Sequence, residues 1–569
     1  MKQISMNGVW IVTNQTDRRK EVLVLAAETA FRLPRLDSGF WFHRDMRDNL
    51  YYAMHLYAAS TDPEVEVSFS KNEGARLGEE MLLLVLGLQV NAPEHPMYGH
   101  WPLNLGNDPS GAAPHTLPVE LLGSLIAWYH HRHGGRMGEK LQNAFEEAMR
   151  HAYMGNYYRK PVEYFNHHES KYVSQQVIWG ELFQDKALAA EGRDNLRLLL
   201  DTIRANGMRE YGAMPWFWHW VQAFSCARAL VKDAETLQLL HDMLDYLWKV
   251  RSLTYLKGAW AAPHSRGLGH DIPADRNTLL DYVEYGGFPL PDSIARLEAA
   301  GILEVSPPTG EITASAADRT DAREVRRLIP IHPQQLAEGC LHSYTYMTPD
   351  FAVGGVWERA TEFDNEQHRW DVTLPANRDG SVNKAYFFRP GNGFSEGDYR
   401  HEGGLCQVLL HRNAAVALFA PPEDPEAAGL VIGVLPKGDW QFGDRQITGL
   451  AGTVYLVVHL MNPYTCVENE ERGCLEIRSE GGANGVAVEA FTVETASALG
   501  LGSLNGVAAA ASGQGQAGLF SNEGGAIAFA GKTLADGAEL RLNIAADGSA
   551  VLRTINGSPV SFEEYTVAL

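Results

Sequence analysis

Phe165 to Tyr172 reads FNHHESKY, which sets an amide, two imidazoles and a carboxylate in successive positions. Asn166 followed three residues later by Glu169 has the spacing of a capping box, in which each side chain satisfies a free backbone N–H at a helix start. That reading accounts for the amide and the carboxylate but not for His167 and His168. Imidazoles exchange protons near neutral pH, so the stretch reads as a helix cap and an active-site floor at once.

A second group of reactive side chains lies in GMREYGAMPWFWHW, Gly207 to Trp220. Glu210 and Tyr211 occupy a turn between two helices, and Trp216, Trp218, His219 and Trp220 follow. The tryptophans are too closely spaced to share one helix face, so some of them belong to the core. The remainder reads either as a sugar-stacking wall beside an acid or base, or as a packed helix start with Glu210 as its cap. A third stretch, WAAPHSRGLGHD, places His264 and Arg266 on a Pro/Gly-rich turn, and HPMYGHWPLNLGND adds Tyr98, His100, Trp101 and Asn107. Such loops carry binding groups more often than they carry packing.

These loops need a scaffold. Helical patterns run over 48–60, 78–90, 118–132, 138–154, 170–183, 193–207 and 235–250, the last with Leu237, Leu240, Leu244 and Leu247 on one stripe. Helices of similar length separated by polar, aromatic loops predict stacked hairpins whose inner loops converge on one mouth, an α/α toroid. An irregular bundle or solenoid is the alternative. Residues 301–340 are rich in Pro, Ser, Thr, Ala and Asp and read as a linker. Beyond them short apolar runs such as GLVIGVLP and GTVYLVVHL, punctuated by Gly, Asn and Asp, predict an antiparallel β-sandwich. The expectation is an α+β multidomain chain: toroid over 1–300, linker over 301–340 and sheets over 341–569.

The whole composition narrows the chemistry. At 569 residues the chain supports more than one core, and its formal charge of -22 with no basic run argues against nucleic acid as a partner. No apolar stretch is long enough for a membrane span, and the first residues lack a signal-peptide pattern, so a cytoplasmic location is expected. That location favours short oligosaccharides and exo action. The five cysteines show no CxxC pair, which suits reduced thiols.

The order of an Asn-His helix opening, a Gly-x-x-Glu-Tyr turn about 45 residues on, a Pro-His-Ser-Arg loop and then a β-rich half resembles the heparinase II/III-like polysaccharide lyases. TYMTPDFAVGG, 345–355, is similar to the start of that family's sheet domain. The resemblance implies β-elimination at a uronic acid: a base removes the proton α to the carboxylate, and the glycosidic oxygen leaves from C4. The carboxylate must be neutralised by hydrogen-bond donors for that proton to be acidic enough.

Carried onto this sequence, the resemblance implies Asn166 as the neutralising amide, His167 as a second donor or the base, Tyr211 as the catalytic tyrosine and His264 as a further catalytic group. In relatives the tyrosine often lies several residues further on, where this chain has Trp216. Tyr98, Trp101, Glu169, Glu210, Trp216, His219 and Arg266 are expected to bind substrate. So is His401 of the sheet domain, chosen over His342, His368 and His411 as the most loop-like. No cofactor is required. The resemblance allows a structural metal in the sheet domain, for which the spacing identifies no ligands. Two other readings stay open: a glycoside hydrolase using a carboxylate pair drawn from Glu210, Glu169 and Asp271, and a carbohydrate-binding protein without catalysis.

Overall fold

The computed structural model describes residues 14–332, 339–360, 367–421, 429–513, 518–545 and 551–569. Its N-terminal half is built from helices Gln15–Arg32 (α1), Met46–Thr61 (α2), Lys71–Leu86 (α3), Thr116–His133 (α4), Glu139–Met154 (α5), His167–Leu182 (α6), Lys186–Asn206 (α7), Met214–Leu230 (α8) and Ala234–Thr254 (α9). The even-numbered helices are buried almost all round: α2 from Asn49 to Ser60, α4 from Pro118 to Tyr129, α6 from Glu169 to Gly180, and most of α8. They have no solvent face and so no strong apolar stripe. By contrast, α5 and α7 bury only an interrupted row, such as Leu188, Gly192, Leu196, Leu199, Leu200 and Ile203 of α7. The result is an inner ring of α2, α4, α6 and α8 wrapped by outer helices. A short helix, Leu279–Glu284 (α10), returns to α1, where Arg18 donates to the Val283 carbonyl at 3.0 Å and helps close the ring.

Among the described residues the β half has three antiparallel sheets. The eight-stranded sheet runs from Tyr464–Asn469 at one edge, through Trp370–Thr373 near its centre, to Arg323–Pro330 at the other. The six-stranded sheet is the middle layer. Its strands Ala414–Phe419, Val454–Leu460 and Asn484–Thr492 are buried on both faces, which is why they read as unbroken apolar runs rather than as alternation. A five-stranded sheet, Phe520–Glu523 to Ser558–Pro559, covers part of its outer face, and helix Leu504–Gly513 covers another part.

The span expected as a linker is instead structured on both sides of 333–338, which lies outside the described residues. Gly310–Ala316 forms a helix against α9, and Arg323–Pro330 is the edge strand of the eight-stranded sheet. Among the described residues the five cysteines form no disulfide. No described helix is long and apolar enough to cross a membrane.

The two halves are pinned through buried polar groups. Lys384 of the large sheet, fully buried, lies 2.9 Å from Asp275 and 3.6 Å from Asp371 and donates to the Trp260 carbonyl. Asn383 exchanges hydrogen bonds with Asp275 through its side chain. These contacts fix the loop that follows α9 against the sheet.

Candidate active site

The first turns of the inner helices meet at one mouth, where the helix dipoles add positive potential. At the start of α6, Asn166 accepts from the backbone N–H of His168 at 3.0 Å and of Glu169 at 3.2 Å, as a cap should. Glu169 departs from the capping-box expectation. It takes the N–H groups of Glu163, Tyr164 and Phe165 rather than that of Asn166. Phe165 adopts a left-handed backbone, φ 53°, which turns these successive N–H groups into a nest for the carboxylate. Glu169 is buried and satisfied there, so it shapes the cap rather than binding substrate.

His167 is held on three sides. Its Nδ1 lies 2.5 Å from Oε1 of Glu210, and its backbone N–H donates to the other oxygen of Glu210 at 2.9 Å. Its ring lies on Trp216, centroids 4.7 Å apart and planes 10° from parallel. Glu210 Oε2 also accepts from Trp220 Nε1 at 3.0 Å. Burial raises Glu210 to about 7. Burial also depresses His167 well below its ordinary value, helped by Lys171 and His168. The pair therefore shares one proton between Nδ1 and Oε1, and Nε2 of His167 has no partner among the described residues. Glu210, expected to bind substrate, instead orients the imidazole.

His168 repeats the arrangement beside it. The two rings are 4.0 Å apart, and His168 Nδ1 lies 2.7 Å from Oε2 of Glu120 on α4. Glu120 also accepts from the Tyr172 hydroxyl and lies 3.1 Å from the buried Lys171 ammonium. Against the cost of burial, these partners hold Glu120 down to about 2. Neither Glu120 nor Lys171 was expected from the sequence. A charged residue inside the buried run PVELLGSLIAWY was the available signal.

Around the histidines stand cations from both halves of the molecule. Arg266 lies over the Trp216 indole, 5.0 Å from the ring centroid. Arg296 lies 3.2 Å from Nε2 of His219, whose ring is 5.6 Å from that of His167. Arg400, from the sheet half, is oriented by Asp398 and reaches the Gly267 carbonyl at 3.4 Å. Burial, then Arg296, Arg400 and Arg266, drive His270 down to about 3. A locally cationic cleft thus sits in an acidic chain.

The remaining expected residues lie apart from His167. Tyr211 points the opposite way from its neighbour Glu210. Its hydroxyl accepts from Gln367 at 2.8 Å, and its ring packs with Ile329, Leu341 and Val356 between toroid and sheet. His264 is fully buried, with Nδ1 donating to the Gly212 carbonyl at 2.6 Å. Gly212 has φ 63°, and a Cβ there would meet the Pro263 carbonyl oxygen at 2.3 Å, so this close crossing requires glycine. Trp101 is fully buried and donates to the Val85 carbonyl, while Tyr98 bonds His151 on outer helix α5. His401 is buried beside Asp398, on the loop that carries Arg400. Among the described residues no three His, Cys, Asp or Glu side chains form a group that could hold a metal ion.

The chain is similar to solved lyases. One is a chondroitinase AC lyase described in complexes with oligosaccharides: 9% identity, 97% of this chain and 99% of that one, TM-score 0.41. A second is a mutant of heparan sulfate lyase HepC from Pedobacter heparinus: 9% identity, 99% and 92% of the two chains, TM-score 0.33. A third is a mutant chondroitin AC lyase from Streptomyces coelicolor A3: 11% identity, 97% and 90% coverage, TM-score 0.44. No family model matches the chain, and no curated protein matches it.

Proposed function

We propose that the cleft splits a uronic-acid-containing oligosaccharide or polysaccharide by β-elimination, with His167 as the base. The observation that carries this reading is the clamped imidazole of His167, fixed through Nδ1 by Glu210 and flat on Trp216, with Nε2 unpartnered among the described residues. Nδ1–H donation to Glu210 leaves the lone pair on Nε2, the atom that takes the C5 proton. The negative charge that develops on the substrate carboxylate meets the Asn166 amide, the α6 N-terminus and the Arg266 guanidinium. Trp216 stands where relatives often carry a tyrosine, and the imidazole stacked on it takes over the proton abstraction.

The hydrolase reading has less support. Glu169 has its oxygens on backbone N–H groups, and Glu210 has its oxygens on His167 and Trp220. Neither is free to flank a glycosidic bond as acid or base.

The test offers purified protein a panel of uronic-acid and neutral oligosaccharides. Absorbance of a 4,5-unsaturated uronate and new reducing ends are followed together. Elimination gives both, whereas reducing ends without absorbance would overturn the lyase reading.

A further inference from the structure

Two carboxylate-clamped imidazoles stand side by side, yet elimination needs only one base. Their surroundings differ in the way that acid and base partners differ. Glu210 is buried with no cation bonded to it, whereas Glu120 lies 3.1 Å from the Lys171 ammonium and accepts from Tyr172. Glu120 holds Nδ1 of His168 at 2.7 Å, and His168, its side chain 35% exposed, is the more accessible of the two rings.

We propose that His168, held by Glu120, is the general acid that protonates the departing glycosidic oxygen while His167 removes the C5 proton. This inference rests on the elimination reading above. Nε2 of His167 takes the proton from C5, and the C–H electron pair becomes the C4–C5 π bond. The C4–O bond breaks with its electrons on oxygen, and Nε2–H of His168 supplies the proton that oxygen needs. One proton has then moved from His168 to His167, and rings 4.0 Å apart exchange it back through water.

Adjacent rings on one wall of the cleft reach a single face of the sugar. The C5 hydrogen and the C4 oxygen must therefore leave from the same face. D-glucuronate and D-mannuronate place them so, whereas L-iduronate, D-galacturonate and L-guluronate place them on opposite faces. The substrate class is thus a glycan cleaved at a gluco- or manno-configured uronate.

The test pairs His168→Gln and His167→Gln with two substrates of one configuration: a natural glycan and a uronate carrying fluoride at C4, a leaving group that needs no proton. His168→Gln is expected to lower kcat on the glycan at least about 100-fold, the usual contribution of a general acid, and on the fluoride less than about fivefold. His167→Gln is expected to abolish both reactions. Equal losses of His168→Gln on both substrates would make the residue structural and overturn the proposal. Full glycan turnover by His168→Gln would overturn it as well. Efficient wild-type cleavage of L-iduronate or D-galacturonate glycans would overturn the same-face assignment. If the wild-type protein forms no unsaturated uronate from any substrate, the elimination reading fails and this proposal falls with it.

Discussion

The imidazole of His167 lies flat on the indole of Trp216, ring centroids 4.7 Å apart and planes 10° from parallel. An aromatic ring in this place fixes the tilt of the base while Glu210 fixes its rotation, so two contacts define where Nε2 points. Trp216→Ala is expected to lower kcat/KM about tenfold, the scale of a lost aromatic pair, and Trp216→Phe by less than about threefold. Steady-state kinetics beside a thermal melt check this. Equal losses for Phe and Ala would mean that the flat contact is unimportant.

The proton shared by His167 and Glu210 sets the pH response. Glu210 is raised to about 7, so as pH falls through that value the pair gains a second proton and Nε2 stops acting as a base. The kcat/KM profile should therefore fall on its acid side near pH 7. Glu210→Gln removes the group that titrates there, so the limb should move to lower pH while kcat drops about 100-fold or more. An unmoved limb would detach Glu210 from the base.

Capping and chemistry can be separated at Asn166. Serine is an equally good cap, whereas alanine costs about 1 kcal/mol. Asn166→Ser is expected to melt within a degree or two of wild type and yet lose most turnover, because the hydroxyl cannot replace the amide donor. If Ser restores activity as well as stability, the side chain serves only the helix.

Glu120 ties the cleft to acid stability. Its carboxyl is depressed from 4.5 to about 2, so its contribution is complete above pH 4.5 and fades as pH falls toward 2. The shift corresponds to about 3 kcal/mol at neutral pH. Glu120→Gln, which leaves the buried Lys171 ammonium uncompensated, should cost about 3–5 kcal/mol near neutrality. The difference from wild type should narrow at pH 3. Denaturant titrations at both pH values decide; a gap that does not narrow would remove Glu120 as the titrating group.

Lys384 has the same role between the halves. Lys384→Met leaves Asp275 and Asp371 buried without their cation and should cost about 3–5 kcal/mol. Adding Asp275→Asn should recover part of that loss. Chemical denaturation of the single and double variants measures it, and additive losses would contradict the pairing.

Much of this architecture could be read from residue pattern, and the failures have identifiable causes. The spacing of helices and polar loops gave the toroid, and the short apolar runs gave the sheets. Helix α1 escaped notice because its buried face is made mostly of alanine, Ala26, Ala27 and Ala30, and leaves only a weak apolar stripe. The linker over 301–340 failed because its Pro- and Ser-rich composition hid a short helix and the edge strand of the eight-stranded sheet. In the cleft, Asn166, His167, Trp216, His219 and Arg266 lie together. Tyr211 does not, because its hydroxyl bonds Gln367 and its ring packs between toroid and sheet, a partnership no local pattern announces. Glu120 lies 46 residues before Asn166 in sequence, and no local pattern joins it to His168.

Each inner helix is divided along its length. The openings of α4, α6 and α8 face the mouth and carry Glu120, His167 and Trp216; the later turns of all four are enclosed by neighbours. Apart from Glu120 and the Asn166 cap, which also hold the fold, selectivity and foldedness are thus written at different ends of the same segments. A library confined to the opening turns, with Glu120 and Asn166 held fixed, would vary what the cleft accepts while leaving the barrel's interior untouched, and the whole ring becomes a mounting for interchangeable chemistry.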